Sequence, residues 1–456
     1  MIIKIPVGFI IEREYLIKTV FTDFLGLDYS IETTTLPEYE IVLENQNRII
    51  IEDHFFSLFN DGLDYLGIKN IPQKVTFSIN PFTVENDIPV LYGFPEILVI
   101  NNQFKTIRCK IDIFSSIFFM LTRWEEYVTS AKDGFGRFPE ELSLSIKCGF
   151  HRRPVVNEYV EMIWRMLIDS GFSGTRRKLK FEVALTHDID EIVRYKNLSR
   201  LIRILAGDIA LRKKPALIPV TFSEYFQFKS GKIKDSYDTF DFLMDMSEKI
   251  NVKSIFYFLS QKHQSNLKKT YANHDMRYDI QDPDVALKIR NISDRGHMIG
   301  LHGSFFSFND PELFSYEMKN LEEIAGNVAE SRQHYLRFSS PLTCEIAAKN
   351  NIKRDSSLGF NFDIGFRCGI CNEFKVYNFL KRKTLDLVEM PLTTMEAAVL
   401  GLSKNPADFF SIICSQIDLV RKYNGKFVLL WHTNSFNNYY WLNYQKYYPL
   451  IIDYLE

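Results

Sequence analysis

Residues 181–190 read "FEVALTHDID". A run of strand-forming, mostly apolar side chains ends here in a histidine and two aspartates, where burial is expected. If the strand geometry persists, Asp188 and Asp190 project to one side and Ile189 to the other. Two carboxylates converging on one site repel unless one is neutralised, and a bound cation lets both stay ionised. One would then ligate the cation and leave the other free as a base. The competing reading is a pair of solvated loop acids, or a cap on the next helix.

Downstream, strands alternate with helices. After "FEVALTH" come the helix "DTFDFLMDMSEKI", the strand "VKSIFYFLS", the helix "DPDVALKIRNISDRG" and the strand "HMIGLH". Then follow "DPELFSYEMKNLEEIAG", "QHYLRF", a helix opening at Ser340 with Pro341 first, "LDLVEMP", a helix near 405–422, and "KFVLLWH". Such alternation predicts βα units around a parallel sheet, open or closed. Chemistry collects at the carboxyl ends of parallel strands. Three predicted strands end there in titratable residues: "LTHDID", "MIGLH" with His302, and "LLWH" with His432. A single histidine at a strand end is commonly a hydrogen-bonded structural residue; the combination carries more weight.

Upstream, residues 1 to about 178 read as a smaller mixed α/β unit. It opens with strand-like runs such as "YEIVLENQNRIIIED" and closes with the amphipathic segments "IDIFSSIFFMLTRWEEYV" and "VNEYVEMIWRMLIDSGF". Gly171 is placed to cap the second, and the basic stretch "SGTRRKLK" follows as a linker. A chain of 456 residues allows two to three domains. Hydrophobic residues at 46% and charged residues at 25% exclude disordered and fibrous classes. A net charge of −2 gives no reason to expect a nucleic-acid partner. Six cysteines without a regular framework read as reduced thiols of a cytosolic protein. Lys4, Glu12, Arg13 and Glu14 interrupt the apolar amino terminus, so neither a signal peptide nor a spanning helix is predicted there, and the default location is the cytoplasm.

The ordered motifs "LTHDID" (185–190), "RGHMIGLHGS" (295–304), "SRQHYLRF" (331–338), "DSSLGFNFDIGFRCG" (355–369) and "LLWH" (429–432) resemble those of the polysaccharide deacetylase family. This is carbohydrate esterase family four, with the nodulation-factor deacetylase homology domain. The resemblance covers roughly residues 180–456. "RGHMIGLH", "RQHYLRF" and "FRCG", with "WEEYV" and "GRFP" of residues 124–138, resemble an uncharacterised bacterial branch carrying an extra amino-terminal domain. The resemblance implies a distorted (β/α)7-type barrel over 179–456, preceded by a mixed α/β domain over 1–178. It also implies a metal-dependent hydrolase that removes acetyl groups from N-acetylated sugars of a cell-surface or capsular polysaccharide or its precursor. Carried over by position, Asp188 would be the general base, and Asp190 and His302 ligands of a divalent metal, zinc first. His432 would be the general acid, and Arg332, with Arg337 as the second choice, would orient Asp188.

One departure concerns the metal. The family's histidine motif continues to a second histidine four residues on, where this chain has Phe306. A catalytic zinc takes about three protein ligands, and Asp190 with His302 supplies two. His334 is the candidate replacement, weighed evenly against simple packing beside Tyr335. His187, His274 and His297 are further candidates, with His187 and His297 fitting core or supporting roles. Cys368 and Cys371 form one C-x-x-C, best read as packing. The basic segment 193–215 could lie on an anionic membrane surface, although an exposed helix docked by its apolar stripe is the favoured reading. Phe306 motivates an alternative function: a catalytically weak or inactive relative serving as a glycan-binding or assembly module. A metal-dependent amidase acting on a non-sugar C–N bond would use the same machinery.

Overall fold

The computed structural model describes residues 1–456 apart from 211, 212, 214, 261–274, 276, 277, 404, 437–440 and 442. Strands β1 (Ile2–Pro6), β2 (Ser30–Thr34), β3 (Glu38–Val42), β4 (Arg48–Glu52), β7 (Gly93–Asn101) and β8 (Lys105–Ile111) form a mixed six-stranded sheet ordered β2-β1-β3-β4-β8-β7. The short β5 (Thr76–Ser78) and β6 (Ile88–Val90) pair separately. The wholly buried helix Ile113–Thr122 is capped by Asp112, whose carboxylate accepts from the Ser115 amide at 3.0 Å. Arg123, at φ 52°, breaks what the sequence reads as one continuous helix, and a short helix Trp124–Val128 follows. The amphipathic helix Val155–Asp169 ends before Gly171, whose φ of 83° suits the left-handed residue that commonly stops a helix.

The second sheet has nine strands: β9 (Glu182–Ile189), β10 (Ile255–Phe258), β11 (Met298–Gly303), β12 (Glu330–Gln333), β13 (Arg354–Asp355), β14 (Phe374–Asn378), β15 (Lys383–Glu389), β16 (Thr394–Met395) and β17 (Lys426–Leu430). Their order is β14-β15-β13-β12-β11-β10-β9-β17-β16, and every pairing is parallel except β14 with β15. Laid flat, β15 and β16 would stand seven strand spacings apart, roughly 34 Å. Only residues 390–393 join them, and the five steps from Glu389 to Thr394 span at most about 18 Å. The sheet therefore curls until its edges approach, giving a distorted barrel whose strands follow one another around the ring in chain order except that β15 stands between β13 and β14.

The curl separates two cores. Ala184, Ile255, Tyr257, Leu336, Met390, Leu392, Val428 and Leu430 fill the interior. Leu185 and Ile189, on the alternate positions of β9, join the large outer core, which is continuous with the core of the amino-terminal sheet. Buried polar contacts also cross between the two regions. The Glu126 carboxylate accepts from Arg367 Nε and Nη2 at 2.9 and 2.7 Å and from Arg123 Nε at 2.9 Å.

Helices Phe240–Lys249, Pro283–Asp294, Pro311–Ala325 and Pro406–Lys422 lie where the periodicity predicts. Two local expectations shift. The strand expected over "QHYLRF" lies earlier, at Glu330–Gln333, because Tyr335 and Leu336 take positive φ (59° and 50°) and turn the chain out of the sheet. The helix expected to open at Ser340 begins at Leu342, with Pro341 at its cap. Among the described residues, no helix is long and apolar enough to cross a membrane.

Candidate active site

Strand alternation decides which side chains meet. Thr186 and Asp188 of β9 and Asp190, the residue just after it, share the inner face, and Asp188 is level with Tyr257 of β10. Two strands along, His302 of β11 is level with Arg332 of β12, so their side chains point the same way. The residues paired from the sequence alone thus converge at the carboxyl end of the barrel.

Arg332 is fully buried, and its donors are directed to fixed partners. Nη1 donates to Asp188 Oδ1 at 3.0 Å and to Thr186 Oγ1 at 2.9 Å. Nε donates to the Ser356 carbonyl at 2.9 Å, and Nη2 to the Ser356 hydroxyl at 2.8 Å. Its guanidinium lies 4.6 Å from the Tyr257 ring centroid. Arg332 is therefore the arginine that holds Asp188. Arg337 instead donates to the Phe305 carbonyl, with its guanidinium against Phe305 and Phe308. Burial pushes the Asp188 carboxyl up, but Arg332, His302 and His432 outweigh it and hold the group below its ordinary value.

Three imidazoles surround Asp190. His302 Nε2 and His334 Nε2 each lie 3.5 Å from Asp190 Oδ1, and His432 Nε2 lies 3.9 Å from Oδ2. In each ring Nδ1 is committed elsewhere: to the Arg332 carbonyl at 2.9 Å for His302, to Asp275 at 2.7 Å for His334, and to Glu396 at 2.7 Å for His432. Carbonyls and carboxylates accept, so Nδ1 carries the hydrogen and Nε2 of the neutral ring offers its lone pair to the site. Burial works against ionisation of Asp190, yet His334, His302 and His432 hold its carboxyl well below the usual range. His302 is raised, with burial opposed by Asp188 and Asp190. Burial also favours the neutral form of His432, but Glu396, Asp190 and Asp188 push it up to about 10.

Asp190, His302 and His334 present three ligand atoms within 4.8 Å of one another. Tetrahedral ligands 2.0–2.2 Å from a zinc ion are about 3.3–3.6 Å apart, and both histidine–aspartate separations fall in that range. Among the described residues, Asp190 Oδ1 is buried without a hydrogen-bond donor, as an oxygen reserved for a cation would be. The donor set fits a metal ion. His334 comes from the turn after β12, not from the Phe306 position, which is half-buried against Phe305.

That turn is held by the amino-terminal part of the chain. Arg137, itself bound to Asp133, donates through Nη1 to the Tyr335 carbonyl at 3.0 Å. Phe135 stacks on Tyr335 at 5.1 Å, and Tyr335 lies against His334 at 4.1 Å between ring centroids.

Other residues singled out from the sequence lie elsewhere. His187 points outward, its Nδ1 donating to the Trp431 carbonyl at 2.8 Å and its ring against Phe256. His297 accepts from the Ser254 amide and pairs with Glu248. His274 lies outside the described residues. Cys368 and Cys371 are free thiols buried in the outer core, raised by burial.

Sequence reasoning missed Asp275 and Glu396. Glu396 directly follows β16, so the strand-end rule that found His302 and His432 could have found it. Besides the His432 ring, it accepts from the His432 amide at 2.9 Å and the Ser435 hydroxyl at 2.8 Å. Asp275 also accepts from the Phe305 amide at 2.8 Å, and nothing periodic surrounds it in the sequence.

A family of unknown function (DUF7033) matches residues 1–171. No curated protein matches the chain. Among solved structures, a protein assigned as a polysaccharide deacetylase from Mycobacterium smegmatis is 16% identical with a TM-score of 0.36, over 60% of this chain and 85% of its own. Puue allantoinase is 12% identical with a TM-score of 0.36 over the same shares. The polysaccharide deacetylase Bc1974 from Bacillus cereus is 12% identical with a TM-score of 0.26, over 61% and 87%. At such low identities and scores, none of these likenesses bears on the chemistry of this chain.

Proposed function

We propose that the protein is a metal-dependent hydrolase that removes acetyl groups from N-acetylated sugars of a cell-surface or capsular polysaccharide or its precursor. One observation carries this reading. Three imidazoles with their Nδ1 atoms tied back converge on Asp190, and an arginine-held Asp188 stands 3.7 Å from the nearest of them, His302.

In this reading Asp190, His302 and His334 hold a divalent cation, zinc being favoured by the mixed nitrogen and oxygen donors. Such an ion polarises an acyl carbonyl and acidifies water at the site. Asp188 takes the proton of the attacking water as its oxygen bonds to the acetyl carbon. Arg332 fixes the direction of that carboxylate. His432, protonated on Nε2, gives its proton to the sugar nitrogen as the C–N bond breaks, because an amine anion is a very poor leaving group. Glu396 accepts from Nδ1 and keeps the ring in the orientation and protonation state that step needs.

We further infer two domains, 1–178 and 179–456, the first bracing the turn that carries His334 through Phe135 and Arg137. The six thiols are unpaired, as in a reducing compartment, which favours a precursor assembled inside the cell as substrate. An inactive glycan-binding relative is less well supported, since His334 stands where the third ligand is needed and both an acid and a base are present.

Acetate release from N-acetylated oligosaccharides by protein purified without chelator or metal-affinity tag, alongside its metal content, tests the proposal. Release by the wild type and not by Asp190→Ala is expected. Absence of both activity and retained metal after zinc supply would overturn it.

A further inference from the structure

Between β9 and β10 the chain leaves the barrel at the end bearing Asp188 and Asp190 and builds a helical hairpin, Leu198–Ala210 and Leu217–Lys229. Leu201 and Ile204 are buried with Tyr195 in a small cluster of their own, packed by Leu205, Tyr225 and Phe228. This is the docked stripe that the periodicity predicts. The first helix has a second apolar stripe, which faces outward. Leu198, Ile202 and Ile209 fall within about 40° of one another around the axis and are 60%, 60% and 55% exposed. On the second helix Phe222 and Phe226 stack at 6.4 Å, with Phe226 63% exposed.

The charge around these stripes departs from that of the rest of the chain. Residues 193–234 hold ten lysines and arginines and two acidic residues, in a protein of net charge −2. Arg194 and Arg200 pair with Glu224 and Glu191, whereas Lys196, Arg203, Lys213, Lys229 and Lys232 stand exposed at the surface. Two copies meeting through this face would bring like charges together. A bilayer with anionic headgroups accepts both features, taking the apolar side chains into its interface and attracting the lysines and arginines.

We propose that the hairpin is a membrane-surface anchor that seats on anionic lipid and turns the site-bearing end of the barrel toward the bilayer. The proposal is independent of the catalytic reading.

Co-sedimentation of the full-length protein with phosphatidylcholine vesicles, and with vesicles also containing phosphatidylglycerol, tests it. Binding to the anionic vesicles alone is expected, falling about tenfold or more as salt screens the headgroups. The double variant Ile202→Asp/Phe226→Asp should bind at least about tenfold more weakly with an unchanged melting curve, since both side chains are exposed. Failure of the wild type to bind at low salt, equal binding to neutral vesicles, or undiminished binding by the variant would overturn the proposal. So would sedimentation velocity showing a dimer that the same variant dissolves, which would assign the stripe to a second copy.

Discussion

Arg332 and His302 are register partners on adjacent strands, and Arg332 orients two elements of the site at once. Its side chain holds Asp188 at 3.0 Å, while its carbonyl accepts from His302 Nδ1 at 2.9 Å. A lysine could keep the charge but not the fork of donors that reaches Asp188, Thr186 and Ser356 together. Arg332→Lys should therefore lower kcat by about 10²-fold, the scale of a misplaced catalytic group, with metal content unchanged because the backbone carbonyl remains. Kinetics and metal analysis of the same preparation check this, and an unaltered kcat would remove Arg332 from its positioning role.

The third ligand is expected at His334. His334→Ala should lose bound metal, whereas Phe306→Ala should retain it. Asp275→Asn keeps the ligand but weakens the partner of its Nδ1, and metal affinity should fall about 10–100-fold. Competition with a chromophoric chelator measures all three; retention of full affinity by His334→Ala would exclude the assignment.

His432 should matter in proportion to the need for leaving-group protonation. His432→Ala is expected to slow an N-acetyl substrate by about 10²–10⁴-fold and an activated acetyl ester far less. Glu396→Gln should show the same selectivity more weakly, since it acts through His432. Equal slowing of amide and ester would count against the acid role.

His187 should make the protein sensitive to acid. Burial keeps the ring neutral and lowers its pKa from 6.5 to about 4, the hydrogen bond to the Trp431 carbonyl only partly opposing this. A base with a lowered folded-state pKa contributes stability that is intact above pH 6.5 and is lost as pH falls toward 4. At 1.36 kcal/mol per unit the loss is roughly 3 kcal/mol. His187→Asn, which can still donate to Trp431, should flatten the pH dependence of urea unfolding across that window. An identical slope in the variant would show that other groups set the acid limit.

Glu126 bridges two buried arginines, one from each region of the chain, and Glu125 gives Arg123 a second buried carboxylate. Glu126→Ala leaves Arg123 Nε and Arg367 without this buried carboxylate and should cost about 3–5 kcal/mol. Thermal unfolding checks this, and a melting temperature close to wild type would mean that solvent reaches the pair.

The amino-acid sequence alone determined the alternation of strands and helices, the inner face shared by Asp188 and Asp190, and the strand ends that carry His302 and His432. These follow from local rules: a period of two along a strand, a longer period along a helix, and polar residues where parallel strands finish. Tertiary structure decided which arginine meets Asp188, that His334 and not the Phe306 position faces Asp190, and that Asp275 and Glu396 fix the histidine rings. Those choices depend on where a turn with positive φ at Tyr335 aims one side chain, and on how far the sheet curls to bring the β16 edge round toward β15. Local periodicity carries no record of such distances, because side chains from separate strands meet only once the barrel has closed around them.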